Sequence, residues 1–247
     1  RVPKHGYRAL DGDTILSPQS GEAALRAAGA VCAAIDAVLR QEASNAFCAI
    51  RPPGHHAEPS QAMGFCLFNN VALGAAHARV IHGLERVAVI DFDVHHGNGT
   101  QVAFEHDPGY LYISTHQSHI YPGTGHRDEL GVGNIINVPL LAGSDSTDLR
   151  HAWWQDIEPA LHQFRPQLIL ISAGFDAHYL DPLAELNFRE GDYAWLTQQI
   201  LAAADSCGGR IVSVLEGGYN LPALAASVAT HVQALMSSAE IGTQSSS

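Results

Sequence analysis

The sequence predicts an α/β fold, a single domain with a mainly parallel β-sheet and helices on both faces. Short β-branched apolar runs alternate with longer segments whose apolar residues recur at helical spacing. Such alternation is typical of a parallel sheet with crossover helices. The short runs are apolar throughout, as expected of strands that are covered on both sides. With 247 residues, of which 46% are hydrophobic, the chain is long enough to enclose such a core.

The predicted elements follow one another in a regular order. An alanine-rich helix is predicted over 21–43, and a short buried strand over 47–50. Further strands are predicted at 87–92, 110–115, 135–140, 168–173 and 210–216. Further helices are predicted at about 69–83, 99–106, 147–164, 190–206 and 221–237. No linker divides residues 1–236, so one domain is expected, and residues 237–247 are predicted to form a disordered tail.

Composition argues against several classes of protein. The chain has 25 acidic and 13 basic residues, and its net charge of -12 would repel a nucleic-acid backbone. No apolar run reaches the ~18 residues of a membrane span. Only Lys4 is a lysine, so no lysine-based catalysis is expected inside the fold. The four cysteines form no CxxC pair, which predicts a reducing, cytoplasmic location.

Polar, glycine-rich segments follow five of the predicted strands. Because ligands bind beyond the carboxyl ends of parallel strands, these segments are expected to meet at one edge of the sheet. They read RPPGHHAEPSQAMGFC (51–66), DFDVHHGNGTQ (91–101), THQSHIYPGTG (115–125), SAGFDAH (172–178) and EGGYN (216–220). This edge therefore holds most of the residues that can carry chemistry.

Asp93, His95 and Asp176 are the candidate metal ligands. Asp93 and His95 are two residues apart, so they project to the same side where the chain is extended. Two carboxylates and one imidazole suit Zn²⁺ first and Fe²⁺ second, and three protein ligands leave a position for water or a substrate carbonyl. Each residue alone would more often cap a helix or close a turn. The prediction rests on the three occurring together.

The tandem His55 and His56 are candidates for proton transfer, because imidazole titrates near neutral pH. Asp91 and Asn98 are the candidate partners that fix their tautomers. Tyr219 follows two glycines whose backbone can approach a ligand closely, and its hydroxyl could donate to a developing oxyanion. Taken alone, each of these features also fits an ordinary turn or a buried, hydrogen-bonded side chain.

Six motifs in a fixed order resemble the zinc-dependent histone deacetylases and their bacterial relatives, the histone-deacetylase-like and acetylpolyamine amidohydrolases. The motifs are RPPGHHA, GFCLFNN, DFDVHHGNGTQ, STHQ with YPGTG, SAGFDAH and LEGGYN, and they span residues 51–220. Asn98 and the residues around it are more similar to those of class II and bacterial members than to those of class I.

The resemblance implies an arginase-like α/β fold and removal of acetyl groups from N-acetyl-lysine or a related acetylated amine. It implies Asp93, His95 and Asp176 as zinc ligands that activate water. It also implies His55 and His56 as the proton-transfer pair, with His56 the expected base, oriented by Asp91 and Asn98, and Tyr219 as oxyanion donor. A structural potassium ion is implied at Asp91, Asp93, His95, Ser114 and Thr115.

The resemblance further implies a narrow tunnel for the acyl-lysine stem, lined by Gly64 and Phe65, with Gly218 close to the substrate. Ile120 stands where the family usually has a second phenylalanine, which predicts a wider or differently shaped tunnel. Asp11 or Asp13 is a candidate carboxylate at the rim that would hold a substrate backbone.

The segment before the tandem histidines is shorter than in most family members. This predicts a truncated or a minimal form, with an exposed sheet edge that favours a homo-oligomer. The class of relative and the alanine and arginine bias predict a bacterial source.

Three alternative functions remain open at the level of sequence. An acetylpolyamine amidohydrolase differs only in its substrate. A binuclear, arginase-type manganese enzyme would need carboxylates where Gly97 and His178 stand, two residues after His95 and Asp176. A catalytically impaired protein that binds metal and acylated amines is the third alternative.

Overall fold

A computed structural model describes residues 2–244, with side chains described through Ser237. Its centre is a six-stranded, wholly parallel sheet with the spatial order β3-β8-β7-β4-β5-β6. The strands are β3 (Asn45–Cys48), β4 (Val87–Asp91), β5 (Tyr110–Gln117), β6 (Ile135–Leu140), β7 (Leu168–Ala173) and β8 (Ile211–Leu215). Every residue of β4 and β7 is buried, which confirms the expectation from their unbroken apolar runs.

One face of the sheet is covered by α1 (Ser20–Leu39), α2 (Asn70–His82) and the short α3 (Asn98–Phe104). The apolar residues of α1 recur every three or four positions, so a single stripe is buried against the sheet and α2. Close packing of α1 on α2 depends on Gly74, where a Cβ would lie 2.6 Å from a methyl of Val31.

The other face is covered by α4 (Ser146–Ala152), α5 (Glu158–Phe164), α6 (Glu190–Ala203) and α7 (Leu221–Gln244). The predicted layers of helix, sheet and helix are therefore present. The sheet also contains a topological switch point, because the chain leaves β4 towards β5 on one side and leaves β7 towards β8 on the other. A crevice opens at such a point beyond the carboxyl ends of the strands.

Four details differ from the predicted elements. A hairpin of β1 (Arg8–Ala9) and β2 (Ile15–Leu16) precedes α1, and two-residue strands are too short to show a periodicity. The first strand of the large sheet lies two residues earlier than predicted. The predicted helix 147–164 is interrupted by a π-helical turn at Trp153–Ile157. Helix α7 continues to Gln244 where a tail was predicted from Ser237, and residues 245–247 lie outside the described part of the chain.

None of the helices in the described residues combines the length and the apolar character needed to cross a membrane.

Candidate active site

The segments that follow β3, β4, β7 and β8 meet at the carboxyl edge of the sheet. The register explains why, because Asp91 at the end of β4 pairs with Ser172 of β7, and Ser172 pairs with Val214 of β8. Four adjacent strands thus end at nearly the same level. The side chains that follow them face a common crevice.

The three candidate metal ligands converge in this crevice. His95 Nδ1 lies 3.1 Å from Asp93 Oδ1 and 3.1 Å from Asp176 Oδ2. One potential ligand atom from each residue lies within 4.8 Å of the other two, and all three residues are buried. Backbone amides fix both carboxylates, since Gly217 donates to Asp93 and Val94 donates to Asp176.

Two glycines provide the space that these carboxylates occupy. A Cβ at Gly174 would lie 2.1 Å from Asp93 Oδ2, and one at Gly217 would lie 2.2 Å from Asp176 Oδ2. Any larger residue would displace a carboxylate. The buried N/O donor set and the room made for it fit a divalent metal ion with three protein ligands.

His55 is held by a buried chain of hydrogen bonds beside the candidate metal ligands, with its Nε2 3.8 Å from Asp93 Oδ1. Its Nδ1 lies 3.0 Å from Asp91 Oδ2, and the same carboxylate oxygen accepts a bond from the Tyr112 hydroxyl. The amide of Gly97 in turn donates to that hydroxyl. Asp91 is therefore positioned as predicted, and it orients the His55 ring.

His56 is oriented by Asn98, as predicted, and Asn98 is itself fixed by Glu58. The Asn98 amide nitrogen donates to Glu58 Oε1 at 2.7 Å, which leaves Asn98 Oδ1 to accept from His56 Nδ1 at 2.9 Å. This arrangement places the proton on Nδ1 of His56 and leaves Nε2 as the basic nitrogen. The rings of His55 and His56 are 4.0 Å apart between centroids.

The titratable groups of the site have opposite pKa shifts. Burial lowers the pKa of both tandem histidines, but the charges of Asp91 and Asp93 raise the pKa of His55 well above its usual value. The pKa of His56 stays well below its usual value because of burial and the neighbouring charge of His55. Burial, with the charge of Asp93, raises the pKa of Asp176 to about 6.

A cavity of about 290 Å³ leads to these residues from the surface. Its lining comprises Asp13, His56, Gly64, Phe65, His95, Tyr121, Leu183 and Tyr219. Of the tandem pair, His56 thus faces the cavity. Asp13 lies at the cavity as expected of a rim carboxylate, whereas Asp11 is not among the lining residues.

Gly64 and Phe65 occupy the predicted places on the cavity wall. A Cβ at Gly64 would lie 2.4 Å from the His56 ring, so only glycine fits there. Phe65 has a φ of 66°, which is uncommon for a residue other than glycine and sets the direction of its ring.

Ile120 is a correction to the predicted tunnel wall. It packs against the large hydrophobic core and lines a different surface depression, together with Leu141. From this segment it is the next residue, Tyr121, that lines the cavity, and His119, two residues earlier, has a φ of 64°. The ring of Tyr121 lies 5.0 Å from that of His56.

Tyr219 lines the same cavity as His56, with its ring 5.9 Å from that of Phe65. Its backbone amide donates to Asp181, and Gly218 before it adopts a φ of 136°. Burial and the charges of Asp176 and Asp93 raise the pKa of the Tyr219 phenol. The hydroxyl therefore stays protonated and able to donate a hydrogen bond. A contact between Gly218 and substrate stays a prediction.

Sequence reasoning missed Glu216, Tyr121, Leu183, Glu58 and Tyr112. Glu216 is fully buried, and its Oε2 accepts from the amides of Gly54 and His55, at 2.7 and 3.2 Å. It therefore holds the loop that carries the tandem histidines. The only sequence signal is its place at the end of a predicted strand, in the motif that also contains Tyr219.

Of the five residues predicted to hold potassium, Asp91, Ser114 and Thr115 lie together on the neighbouring strands β4 and β5, and Asp93 and His95 are also candidate metal ligands. Asp91 pairs with Ser114, and both are fully buried. The Thr115 hydroxyl is buried without a hydrogen-bond partner. This cluster adjoins the candidate metal ligands, because the amide of Asp93 donates to Asp91 Oδ1.

Fold and site together define a class, the α/β proteins that carry a buried group of metal-type ligands at the carboxyl edge of a parallel sheet. The chain belongs to the histone deacetylase domain family, which matches residues 2–235.

Named relatives agree with this assignment. The chain is 46% identical over 235 residues to "Histone deacetylase 14, chloroplastic" of Arabidopsis thaliana, covering 91% of this chain and 56% of the relative. It is 45% identical over 221 residues to "Histone deacetylase-like amidohydrolase" of Pseudomonas aeruginosa, covering 87% of this chain and 58% of the relative. The chain thus spans little more than half the length of these relatives.

The arginase and deacetylase type of fold is also confirmed by a solved structure. The crystal structure of the HDA15 HD domain superimposes with a TM-score of 0.89 at 39% identity, covering 93% of this chain and 68% of that chain.

Proposed function

We propose that the protein is a zinc-dependent amidohydrolase that removes acetyl groups from N-acetyl-lysine or a related acetylated amine. The observation that carries the proposal is the buried triad of Asp93, His95 and Asp176 beside an aromatic-walled cavity. Membership of the histone deacetylase domain family supports it. A cavity with apolar walls and a few convergent polar groups is typical of a small-molecule site.

Zn²⁺ suits a set of one imidazole and two carboxylates, and Fe²⁺ is the second choice. Bound there, the ion would polarise the acetyl carbonyl and lower the pKa of a water molecule. The residues of the chain supply everything else that the reaction requires.

His56 is the base that takes a proton from the attacking water. It faces the cavity, and Asn98 holds its Nδ1–H so that Nε2 is left to accept. His55 lies behind it, with Asp91 stabilising the positive charge that the pair carries. A proton returned from the histidines to the amine nitrogen allows the amine and acetate to leave.

Tyr219 donates its phenolic hydrogen to the carbonyl oxygen as negative charge develops on it. Its raised pKa, caused by burial and the nearby carboxylates, keeps that hydrogen in place at neutral pH. Phe65 and Tyr121 form aromatic walls that suit the methylene groups of a lysine or polyamine stem. The net charge of -12 attracts either cationic substrate.

A structural potassium ion held by Asp91, Asp93, His95, Ser114 and Thr115 is part of the proposal. The buried cluster of Asp91, Ser114 and Thr115, with its unpartnered hydroxyl, supports a monovalent cation there in a structural role.

The test is acetate release by zinc-loaded protein, with chelator-treated protein alongside. Two substrates are compared, an acetyl-lysine peptide and an N-acetylated polyamine. Metal-dependent release from the peptide supports the proposal, and faster release from the polyamine would assign the acetylpolyamine alternative. Binding of the acetylated peptide without release, at stoichiometric zinc, would contradict catalysis and indicate a binding protein.

A further inference from the structure

Asp36, His77 and His82 form a second group of metal-type ligands, remote from the proposed active site. We call these three residues the interhelical cluster, because Asp36 lies on α1 and the two histidines lie on α2. One potential ligand atom from each lies within 4.8 Å of the others. The mechanism above uses none of them.

Both imidazoles point at one carboxylate oxygen. The distances from Asp36 Oδ1 are 2.7 Å to His77 Nε2 and 2.6 Å to His82 Nε2. The ring centroids are 5.6 Å apart, with the rings steeply inclined. Two imidazole nitrogens thus lie next to one carboxylate oxygen, with all three atoms within 4.8 Å of one another.

The distances are slightly shorter than a bound ion requires. With Zn–N and Zn–O lengths of about 2.0–2.2 Å, ligand atoms of a tetrahedral site lie roughly 3.3 Å apart. Binding of an ion would therefore require the side chains to rotate outward. The fourth position would face solvent.

Exposure and charge both favour an ion here. The side chains of Asp36, His77 and His82 are 27%, 22% and 18% exposed, so they are held by packing and yet can be reached from water. Asp36 Oδ1 is in contact with both imidazoles, so the one carboxylate of the cluster is shared between them. Arg40 is 3.7 Å from this carboxylate, but it is 60% exposed and can turn away.

The two helices add to the attraction. Asp36 lies in the last turn of α1, and His82 is the last residue of α2. Carbonyl groups at both helix ends give partial negative charge, which favours a cation.

We propose that the interhelical cluster is a structural metal site for Zn²⁺ or a similar borderline divalent ion. The ion would join α1 to α2, the pair that covers one face of the sheet. Its occupation would stabilise the fold without taking part in the reaction.

The test is zinc stoichiometry, measured by calorimetric titration of metal-free protein with Zn²⁺ alone. The wild-type chain is expected to bind two ions. His82→Asn and Asp36→Asn are each expected to bind one, or to bind the second at least tenfold more weakly, with unchanged acetate release. Asp176→Asn is also expected to bind one ion, at the interhelical cluster. Zinc should raise the melting temperature of this variant.

The matched control is His106→Asn. His106 is an exposed histidine 3.5 Å from Glu105, so it reproduces a histidine and carboxylate pair without the second imidazole. This variant should still bind two ions. Circular dichroism of each metal-free variant is measured to test that the variant is folded.

Three results would overturn the proposal. The first is an Asp176→Asn chain that binds no zinc. The second is a His82→Asn chain that binds as many zinc ions as wild type. The third is a His106→Asn chain that loses as much zinc binding as His82→Asn does. The first result would leave the proposed active-site metal intact, so the two proposals fail separately.

Discussion

At the scale of single residues, the phenol of Tyr219 carries a large part of the proposed chemistry. Tyr219→Phe should lower kcat by about 10²–10³, as expected on removal of one oxyanion donor, with little change in stability. Acetate release at saturating substrate measures this effect. Tyr7→Phe, at a tyrosine that is 82% exposed, is the control and should match wild type. A kcat for Tyr219→Phe equal to that of wild type would rule out the oxyanion role.

Glu216 acts through the loop that it holds. Glu216→Ala leaves the amides of Gly54 and His55 without their acceptor, which should lower the free energy of unfolding by about 1–3 kcal/mol and reduce kcat. Glu216→Gln keeps an acceptor oxygen, so its free energy of unfolding and its kcat should stay close to those of wild type. Urea unfolding and acetate release measure the two effects. Equal defects in the alanine and glutamine variants would show that the acceptor is not what matters.

At the scale of elements, the junction after β7 tests whether the carboxylates need the space that glycine provides. Gly174→Ala places a methyl group against Asp93. The variant should bind one zinc ion fewer per chain than wild type, because the active-site ion is lost. Gly191→Ala is the matched control, since a Cβ there meets nothing within 4 Å and the helical position favours alanine. Equilibrium dialysis against zinc compares the two chains. Full zinc binding by Gly174→Ala would contradict the proposed ligand set.

His231 makes the packing of α7 on α6 and β8 sensitive to acid. It lies between Thr197 and Ser213, at 2.6 and 2.8 Å, and burial lowers its pKa to about 4. Between about pH 6.5 and 4 the unfolded chain therefore binds a proton that the folded chain excludes. Stability is complete above this range and falls as the pH decreases through it, by roughly 3 kcal/mol in total.

His231→Gln should flatten this part of the stability curve, because glutamine offers both hydrogen bonds and does not titrate. Urea unfolding at several pH values gives the difference between the chains. His151→Gln, at an exposed histidine, should leave the curve unchanged. Parallel curves for wild type and His231→Gln would exclude His231 as the cause.

At the scale of the whole molecule, the layered fold and the edge that holds the site were predictable from local sequence. Unbroken apolar runs identify buried strands, and the polar segments after them identify the edge. Asp93, His95, Asp176 and the tandem histidines could therefore be selected before any contact was known. The 3.1 Å distances from His95 Nδ1 to the carboxylates of Asp93 and Asp176 follow from strand order and register. Local sequence patterns do not contain this information.

The remainder depended on contacts between distant parts of the chain. Glu216 binds amides about 160 residues away in sequence, at Gly54 and His55. Tyr121 lines the cavity in place of the predicted Ile120, and the local backbone conformation that decides between them, with His119 at a φ of 64°, is not evident from a sequence pattern. The interhelical cluster joins residues from two helices whose relative alignment no local pattern gives. The cytoplasmic location and bacterial source stay predictions.

The central claim is that the ion held by Asp93, His95 and Asp176 enables deacetylation. The most direct measurement is the rate of acetate release from an acetyl-lysine peptide as metal-free protein receives increasing equivalents of Zn²⁺, in wild type and in Asp176→Asn. We expect the wild-type rate to rise with occupancy of the site and to level off, and the variant to stay inactive at the same zinc concentrations. Release that is independent of zinc, or equal in the two chains, would contradict the account.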